Sequence, residues 1–418
     1  MMSLKPWLAP VVTLAVMACT SAEGAWKGTV TDSAGVTIVT NTDEGVWTPQ
    51  TRWTLEEDLR IGTIEGAPEY QFGQIGFIAV DSKQRVFVMD AQARHIRVFS
   101  QTGTYEQTIG GPGAGPGELG TQAITLYMAP GDTLLVPDLA NQRVNRYAPD
   151  GTSIGSFPLR LENGIPMAIN ATRTGVIAEQ VRPLSLPDLP AKDSMDVIVT
   201  LATDGTIRDT LMTFRPGGTL DFGGSEPRMT LFSPEPVWQL SDDMRLYFGI
   251  SDDYRISVHA PDGSLERIIS KPFSRDPVTE RDQNLVREFF EEQVRDNVPP
   301  AAQEQALAQF RQMIHFAEFY PAFASVQMGP QGSIWVQHIQ SPSTLSEEEL
   351  ASWNLVEDIG SRDWDVFDSE GRFLGVMTMP PRFAPRIIFD DEIYGVWRDE
   401  LDVQYVVRLT IQGLGGAE

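Results

Sequence analysis

A β-hairpin pattern that recurs five times is the feature that most constrains how this chain can fold. Each copy has a short run that alternates apolar and polar residues, a tight turn ending in glycine, and a second such run. Asp-Gly and Thr-Gly suit these turns because hairpin turns need positive φ. The copies are RHIRVFSQTGTYEQTI, RVNRYAPDGTSIGSF, DVIVTLATDGTIRDTL, YRISVHAPDGSLERII and WDVFDSEGRFLGVM, with turn glycines Gly103, Gly151, Gly205, Gly263 and Gly371.

The spacing of these hairpins predicts a β-propeller. The first four turn glycines lie 48, 54 and 58 residues apart, and the last gap is 108 residues. Two more strand-like runs precede each hairpin, as IGFIAVD and RVFVMD precede the first. A repeat of roughly 40 to 55 residues with four strands is typical of one propeller blade. We therefore expect an all-β fold.

The two ends of the repeat region predict how the ring closes. The C-terminal part, from Pro385 to Gln412, contains three strand-like runs, and the stretch that begins at Trp53 matches the end of a repeat unit. An N-terminal strand that completes the last blade removes exposed sheet edges. The sequence thus predicts a six-bladed β-propeller over residues 51–412, with residues 26–41 left as an extra edge hairpin or a linker.

The first residues predict export. Lys5 precedes an apolar run from Leu8 to Ala18. A spanning helix needs about 20 residues, so this run is too short to cross a bilayer. It fits the core of a signal peptide over residues 1–18.

The end of that run resembles a bacterial lipobox. The sequence there is Val-Met-Ala-Cys, and Cys19 is the only cysteine of the chain. The resemblance implies that Cys19 is acylated and that residues 19–50 form a lipid-anchored N-terminal segment. Thr20 follows rather than Asp, which implies sorting to the outer membrane, facing the periplasm. The alternative is a plain secretory signal that is cleaved nearby.

The composition excludes several classes of protein. The formal net charge is −25, with 32 Lys and Arg against 57 Asp and Glu. A nucleic-acid-binding protein needs clustered cations, so no nucleic-acid partner is expected. A single cysteine excludes a disulfide framework, a cysteine-rich zinc site and a CxxC redox motif.

The stretch from Ile96 to Leu119 resembles NHL-repeat proteins and bacterial lipoproteins that are six-bladed β-propellers. Those proteins have a strand ending in VxD, then an Arg-containing strand, and a GxGPGE loop. Here VMDAQAR and VPDLANQR match the first elements, and Gly113 to Glu118 matches the loop. The resemblance implies a binding or scaffolding module, since most family members are of that kind. A minority of related propellers are metal-dependent lactonases or lyases.

Loop lengths predict which face of the propeller binds a partner. We call the face with the links between strands one and two, and three and four, the tight-turn face, because all these links are short. The opposite long-loop face carries the links between strands two and three and between blades. Function tends to lie on variable loops held by a rigid scaffold. The long-loop face is therefore the predicted binding face, and its long excursions are 110–120, 181–195, 277–320 and 340–362.

The insert over residues 277–320, between the fourth and fifth blades, predicts a helical hairpin. Thr279 and Asp282 fit a capping pattern, and Pro300 suits a first helical turn. Either the two apolar stripes pack on each other and on the propeller rim, or the hairpin is a lid or partner-docking element. The stripes are Leu285, Val286, Phe289, Phe290 and Val294, then Ala302, Ala306, Phe310, Met313, Ile314 and Ala317.

Several polar residues are candidates for the predicted binding face. Asp90 with Arg94, and Asp138 with Arg143, recur in the same register, which favours turn-capping pairs over paired catalytic acids. The glycine-rich loop lacks the GK[ST] ending of a phosphate cradle, so an inter-blade turn is favoured. The candidates are Asp90, Arg94, Gly113, Glu118, Asp138, Arg143, Glu179, His315 and His338.

A metal site is the open alternative, although no cofactor is predicted. Zinc or a similar ion needs two or three histidines that converge with a carboxylate. His95, His315 and His338 come from the first blade, the insert and the fifth blade. Glu179, at the end of a second strand, could offer an oxygen to a structural or catalytic divalent ion such as calcium. The sequence contains no G-x-S-x-G and no HExxH motif.

Together these features predict a lipid-anchored envelope propeller that binds an envelope protein, peptide or glycan through its long-loop face. Its membrane contact is expected through the lipid anchor alone. The alternative is a metal-dependent propeller hydrolase or lyase, and a third is a purely structural part of an envelope assembly.

Overall fold

A computed structural model shows a β-propeller made of six four-stranded antiparallel sheets that follow one another along the chain. It describes residues 24–123, 125–160, 163–183, 195–221, 228–351, 353–355 and 359–414. The predicted all-β, six-bladed architecture is confirmed. Cys19 and the predicted signal peptide lie outside the described residues.

The first three blades each use four consecutive strands. Blade one consists of β4 Ile75–Val80, β5 Val86–Asp90, β6 His95–Phe99 and β7 Tyr105–Ile109. Blade two consists of β8 Tyr127–Ala129, β9 Thr133–Asp138, β10 Arg143–Tyr147 and β11 Ser153–Pro158. Blade three consists of β12 Ile165–Ala171, β13 Ile177–Arg182, β14 Asp196–Leu201 and β15 Ile207–Phe214.

Blades four and six include strands from the N-terminus, whereas blade five uses four consecutive strands. Blade four consists of β18 Pro236–Leu240, β19 Leu246–Ile250, β20 Arg255–His259 and β21 Leu265–Ser270, extended by β1 Thr29–Ser33 and β2 Val36–Thr40. Blade five consists of β23 Ser325–Met328, β24 Ile334–Ile339, β25 Gly360–Phe367 and β26 Phe373–Thr378. Blade six consists of β27 Phe383–Phe389, β28 Glu392–Arg398, β29 Gln404–Gln412 and β3 Thr54–Ile61.

The N-terminal strand β3 closes the ring as predicted. It pairs antiparallel with β29, from Thr54 opposite Gln412 to Ile61 opposite Val406. A buried arginine reinforces the seam, since Arg408 Nε donates to Asp58 Oδ1 at 2.8 Å. The two ends of the propeller are thus joined by a full strand pair.

Of the two interpretations of residues 26–41, the structure shows the edge hairpin. β1 and β2 pair with each other, and β2 runs parallel to β21 at the outer edge of blade four. Asn41 follows the hairpin, and its Nδ2 donates to Gly371 O at 3.0 Å while Phe373 N donates to its Oδ1 at 2.7 Å. The hairpin is therefore tied to blade five as well.

The core lies between neighbouring blades. Every residue of β5 is buried, as expected for a short apolar run covered on both sides. Val86 and Val88 belong to a core cluster that includes Tyr394 of blade six, whereas Phe87 belongs to the cluster shared with blade two. Each middle strand thus links two blade interfaces.

The predicted helical hairpin is present between blades four and five. It consists of α1 Glu280–Asn297 and α2 Pro300–Met313, and α3 Glu347–Ala351 follows in the long loop of blade five. A small sheet beside the hairpin contains β16 Leu220–Asp221, β17 Arg228–Leu231 and β22 Ile314–Phe316. Among the described residues, none of the helices has both the length and the apolar character needed to cross a membrane.

Candidate ligand-binding site

A large cavity lies at the tight-turn end of the central channel. Its volume is about 1630 Å³. The first strands of all six blades contribute to its walls, through residues 77–80, 125–128, 170–171, 239–240, 325–328 and 385–389. The pockets of drug-sized ligands are usually about 300–1,000 Å³, so this cavity has room for several linked units.

Short turns leave the mouth of this cavity open. The link between the first two strands of blade four turns within residues 241–245, where Met244 N donates to Ser241 O at 2.9 Å. Met244 and Asp390 adopt φ of 67° and 51°, the left-handed conformation that such tight reversals require. Because these links are so short, they form a rim and do not fold over the channel.

Arg173 reaches across the mouth. It lies at the first turn of blade three, and its Nε donates to Asp242 Oδ2 of blade four at 2.5 Å. Its Nη1 donates to Asp390 Oδ1 of blade six at 3.2 Å. Blades three and six face each other across the channel, so this side chain is a strap over the opening. The hydrogen bond with Asp242 is the main cause of the raised pKa of Arg173.

Two other arginines at the rim, Arg245 and Arg267, are paired with carboxylates as well. Arg245 Nε donates to Glu266 Oε2 at 2.8 Å, and its Nη1 contacts Asp243. Arg267 Nη2 lies 3.2 Å from Glu370 Oε2. Opposite charges at the rim therefore largely neutralise one another.

The wall below the rim combines amide and apolar side chains. Asn170, Gln239 and Gln327 are half-buried lining residues from three successive blades. Asn170 Oδ1 is buried and accepts no hydrogen bond in the described part of the chain. The apolar lining includes Phe77 and Phe389. The wall thus places amide side chains beside apolar surface.

The predicted candidates Asp90 and Asp138 act as turn caps. Asp90 accepts from Gly73 N and Ala93 N, each at 3.0 Å, and Asp138 accepts from Gly120 N at 2.8 Å. The prediction that these carboxylates pair with Arg94 and Arg143 is wrong. Asp90 lies 3.7 Å from Arg97 rather than pairing with Arg94, whose backbone forms the turn with φ of 55°.

Arg143, Glu118 and Gly113 hold the glycine-rich loop together. Arg143 Nη2 donates to Gly115 O at 2.7 Å and to Glu118 O at 2.9 Å, so it binds the loop rather than Asp138. The Glu118 carboxylate accepts from Gly115 N at 2.7 Å. A Cβ at Gly113 would collide with that carboxylate, so any other residue there requires the Glu118 side chain to move. The loop is an ordered inter-blade turn.

Glu179 is buried without a hydrogen-bond partner among the described residues. It is 5% exposed, and it lies between Ile177 and Val181, which belong to the core shared by blades two and three. Burial raises the pKa of Glu179 to about 7. It does not line the cavity described above.

His338 belongs to a polar cluster between blades four and five. Its Nε2 lies 3.0 Å from Asp365 Oδ1. Asp365 also accepts from Tyr254 Oη at 2.5 Å and from Lys271 Nζ at 2.9 Å. Although burial opposes it, the hydrogen bond from His338 helps to hold the pKa of Asp365 below its usual value. His315 is exposed on β22.

The described ranges contain no group of three or more His, Cys, Asp or Glu residues placed to hold a metal ion. Within these ranges, His95, His315 and His338 do not belong to such a group.

The apolar stripes of the insert pack on each other and on the long loop of blade five. The ring centroids of Phe290 and Phe310 are 4.8 Å apart, and those of Phe289 and Trp353 are 5.7 Å apart. Buried Asp282 also accepts from Ser343 N at 2.9 Å. This fits the rim-packing alternative. The cavity opens on the opposite face, the tight-turn face. A partner surface on the long-loop face stays a prediction.

The residues around the mouth were missed from the sequence. The links between the first and second strands of blades three, four and six belong to the short links that define the tight-turn face, yet they contain Arg173, Asp242 and Asp390. Opposite charges at equivalent turns of different blades are the signal that could have indicated the strap.

Comparisons with known proteins agree with the fold. Residues 63–123 match the family model described as DUF5128, 6-bladed beta-propeller. A protein from Bacteroides fragilis described as exported has a TM-score of 0.51 at 12% identity, covering 90% of this chain and 99% of its own. A DUF4221 family member from Bacteroides vulgatus has a TM-score of 0.53 at 10% identity, covering 87% and 99%.

A virginiamycin B lyase from Staphylococcus aureus has a lower TM-score of 0.44 at 11% identity, covering 86% of this chain and 99% of its own. No curated protein matches the sequence. At these identities the similarity concerns the fold alone. The chain is a six-bladed β-propeller, and its residues 63–123 resemble the DUF5128 propeller family.

Proposed function

We propose that this protein is a lipid-anchored binding module of the bacterial envelope, and that its ligand enters the channel from the tight-turn face. The observation that carries the proposal is the cavity of about 1630 Å³ walled by the first strands of all six blades. The largest well-formed cavity with convergent polar groups is the first place to seek a ligand.

The scaffold supports a preformed site. The walls are strands of six blades that pack on one another, and the rim consists of short hydrogen-bonded turns. A ligand therefore meets groups that are already ordered, which lowers the entropic cost of binding. The proposed ligand site lies on the tight-turn face, whereas the loop lengths favoured the long-loop face.

The envelope location rests on the N-terminal sequence. The apolar run before Cys19 fits an exported lipoprotein. The description of the Bacteroides fragilis protein as exported supports export of this chain too.

A cavity-blocking variant tests the binding proposal. Gln239→Trp with Gln327→Trp fills the channel below the rim, whereas Glu288→Trp changes an exposed position of α1 and serves as the control. Thermal unfolding is measured with a library of small molecules, peptides and oligosaccharides, because a ligand that binds the folded state raises the Tm.

We expect compounds that raise the Tm of the wild type and of Glu288→Trp and that leave the blocked variant unchanged. If every compound that raises the wild-type Tm raises the Tm of the blocked variant equally, the channel is not the binding site.

A further inference from the structure

We infer that the ligand of this channel is an uncharged, hydroxyl-rich chain, a neutral oligosaccharide of several units. The inference rests on the proposed function, since it names the chemical class that the cavity accepts. Three features of the cavity lead to it: the paired charges at the rim, the amides below the rim, and the apolar surface between them.

Of the described residues that line the cavity, three of the four arginines and five of the six carboxylates are paired with each other. Arg173 is bound to Asp242 and Asp390, Arg245 to Asp243 and Glu266, and Arg267 to Glu370. An anionic ligand must displace a carboxylate from its arginine, and a cationic ligand must displace the arginine. The net charge of −25 further disfavours an anion. An uncharged ligand leaves these pairs intact.

The wall below the rim offers amides. Asn170, Gln239 and Gln327 come from blades three, four and five, so they surround the channel on one side. An amide side chain both donates and accepts hydrogen bonds, as a hydroxyl does.

The apolar part of the wall suits the other face of a sugar. Phe77 and Met128 lie on the side of blades one and two, and Ile387 and Phe389 on that of blade six. A sugar ring presents hydroxyls at its edge and C–H groups on its faces, so amides and apolar groups on different sides of one channel can contact both. The cavity exceeds the volume that one small ligand needs, which favours a chain.

A glycan array provides the test. Purified protein is applied to immobilised neutral oligosaccharides, acidic oligosaccharides and short peptides. The variants are Asn170→Ala with Gln239→Ala and Gln327→Ala, the blocked double-tryptophan variant, and Glu288→Trp as the control. Thermal unfolding of each variant without ligand shows whether it is folded.

We expect the wild type and the control to bind at least one neutral oligosaccharide, and the triple alanine variant to lose at least tenfold in affinity. Binding should change little when the salt concentration rises about tenfold, from roughly 50 to 500 mM, since salt screens only contacts between charges.

Two other outcomes separate the claims. If the channel binds a peptide or an acidic sugar, and blocking abolishes this binding, the ligand class is wrong while the proposed function stands. If the blocked variant binds every probe as the wild type does, or no probe binds the wild type, both the ligand class and the binding role of the channel are contradicted.

Discussion

At the scale of single residues, Glu179 links stability to pH. Its folded-state pKa is about 7, raised by burial, against an ordinary value of 4.5. The folded protein therefore holds a proton that the unfolded chain releases. This contribution is fully present below about pH 4 and is lost as pH rises through 7.

Glu179→Gln should remove this dependence. Because the amide has no charge to bury, the variant should be more stable than the wild type at pH 8, by about 3 kcal/mol at most, and should lose the advantage near pH 5. Urea unfolding at both pH values measures the difference, with Glu288→Gln on exposed α1 as the control. A difference from the wild type that is the same at pH 5 and pH 8 would show that Glu179 does not titrate in this range.

Residue patterns predicted local roles better than partners. The repeated Asp90 and Asp138 suggested turn caps, and their carboxylates do accept backbone N–H groups. The predicted arginine partners were wrong. The direction of an arginine side chain depends on the turn and on neighbouring elements, and sequence spacing does not contain that information. Arg143 instead reaches the carbonyls of a loop about 25 residues earlier.

At the scale of elements, Asp282 fastens the helical insert. It caps α1 with Thr279, and it accepts from Ser341 Oγ and Ser343 N at 2.9 Å each. Although burial opposes it, hydrogen bonds from Ser343, Thr279 and Ser341 lower the pKa of Asp282 to about 2. The stability it contributes is present above about pH 4 and is lost as pH falls towards 2.

Asp282→Ala should loosen the insert from the loop of blade five. The backbone groups of residues 279 and 343 lose their acceptor, so the free energy of unfolding should fall by about 1–3 kcal/mol at pH 7. Limited proteolysis within 277–320 should also become faster. Asp296→Ala, an exposed position near the end of α1, is the matched control. Proteolysis of Asp282→Ala at the control rate would mean that the hydrogen bonds of Asp282 do not hold the insert in place.

The elements themselves were largely predictable. Hairpin turns, alternating runs and the capping pattern are local signals, and they gave the blades, the closing strand and the insert. The choice between a hairpin and a linker for residues 26–41 was not local. It depends on the edge of blade four, which lies more than 200 residues away in the chain.

At the scale of the whole molecule, the cavity could not be located from the sequence. Its walls combine side chains from six blades, and its strap joins Arg173 to a residue 217 positions later. Loop length favoured the long-loop face because long loops are the variable part of a propeller. The mouth of a channel, in contrast, stays open where the turns around it are short. The same rule that finds variable loops therefore misses a cavity formed by regular strands.

The proposed anchor predicts where the protein is found. The wild type should fractionate with membranes and carry a lipid at Cys19, and Cys19→Ser should lose the lipid and the membrane association. Mass spectrometry of the mature N-terminus and detergent phase partition measure both. A wild type that is cleaved elsewhere, or that carries an unmodified Cys19, would favour the plain secretory signal.

Amide hydrogen exchange with and without bound ligand shows which face of the propeller binds the ligand. The ligand is the neutral oligosaccharide or other compound that raises the Tm most. If the ligand binds in the channel, we expect slower exchange at the tight turns around residues 170–173, 239–245 and 327–332, and unchanged exchange in the insert over 277–320. Protection confined to the insert and the long loops would contradict it, because the ligand would then bind the opposite face.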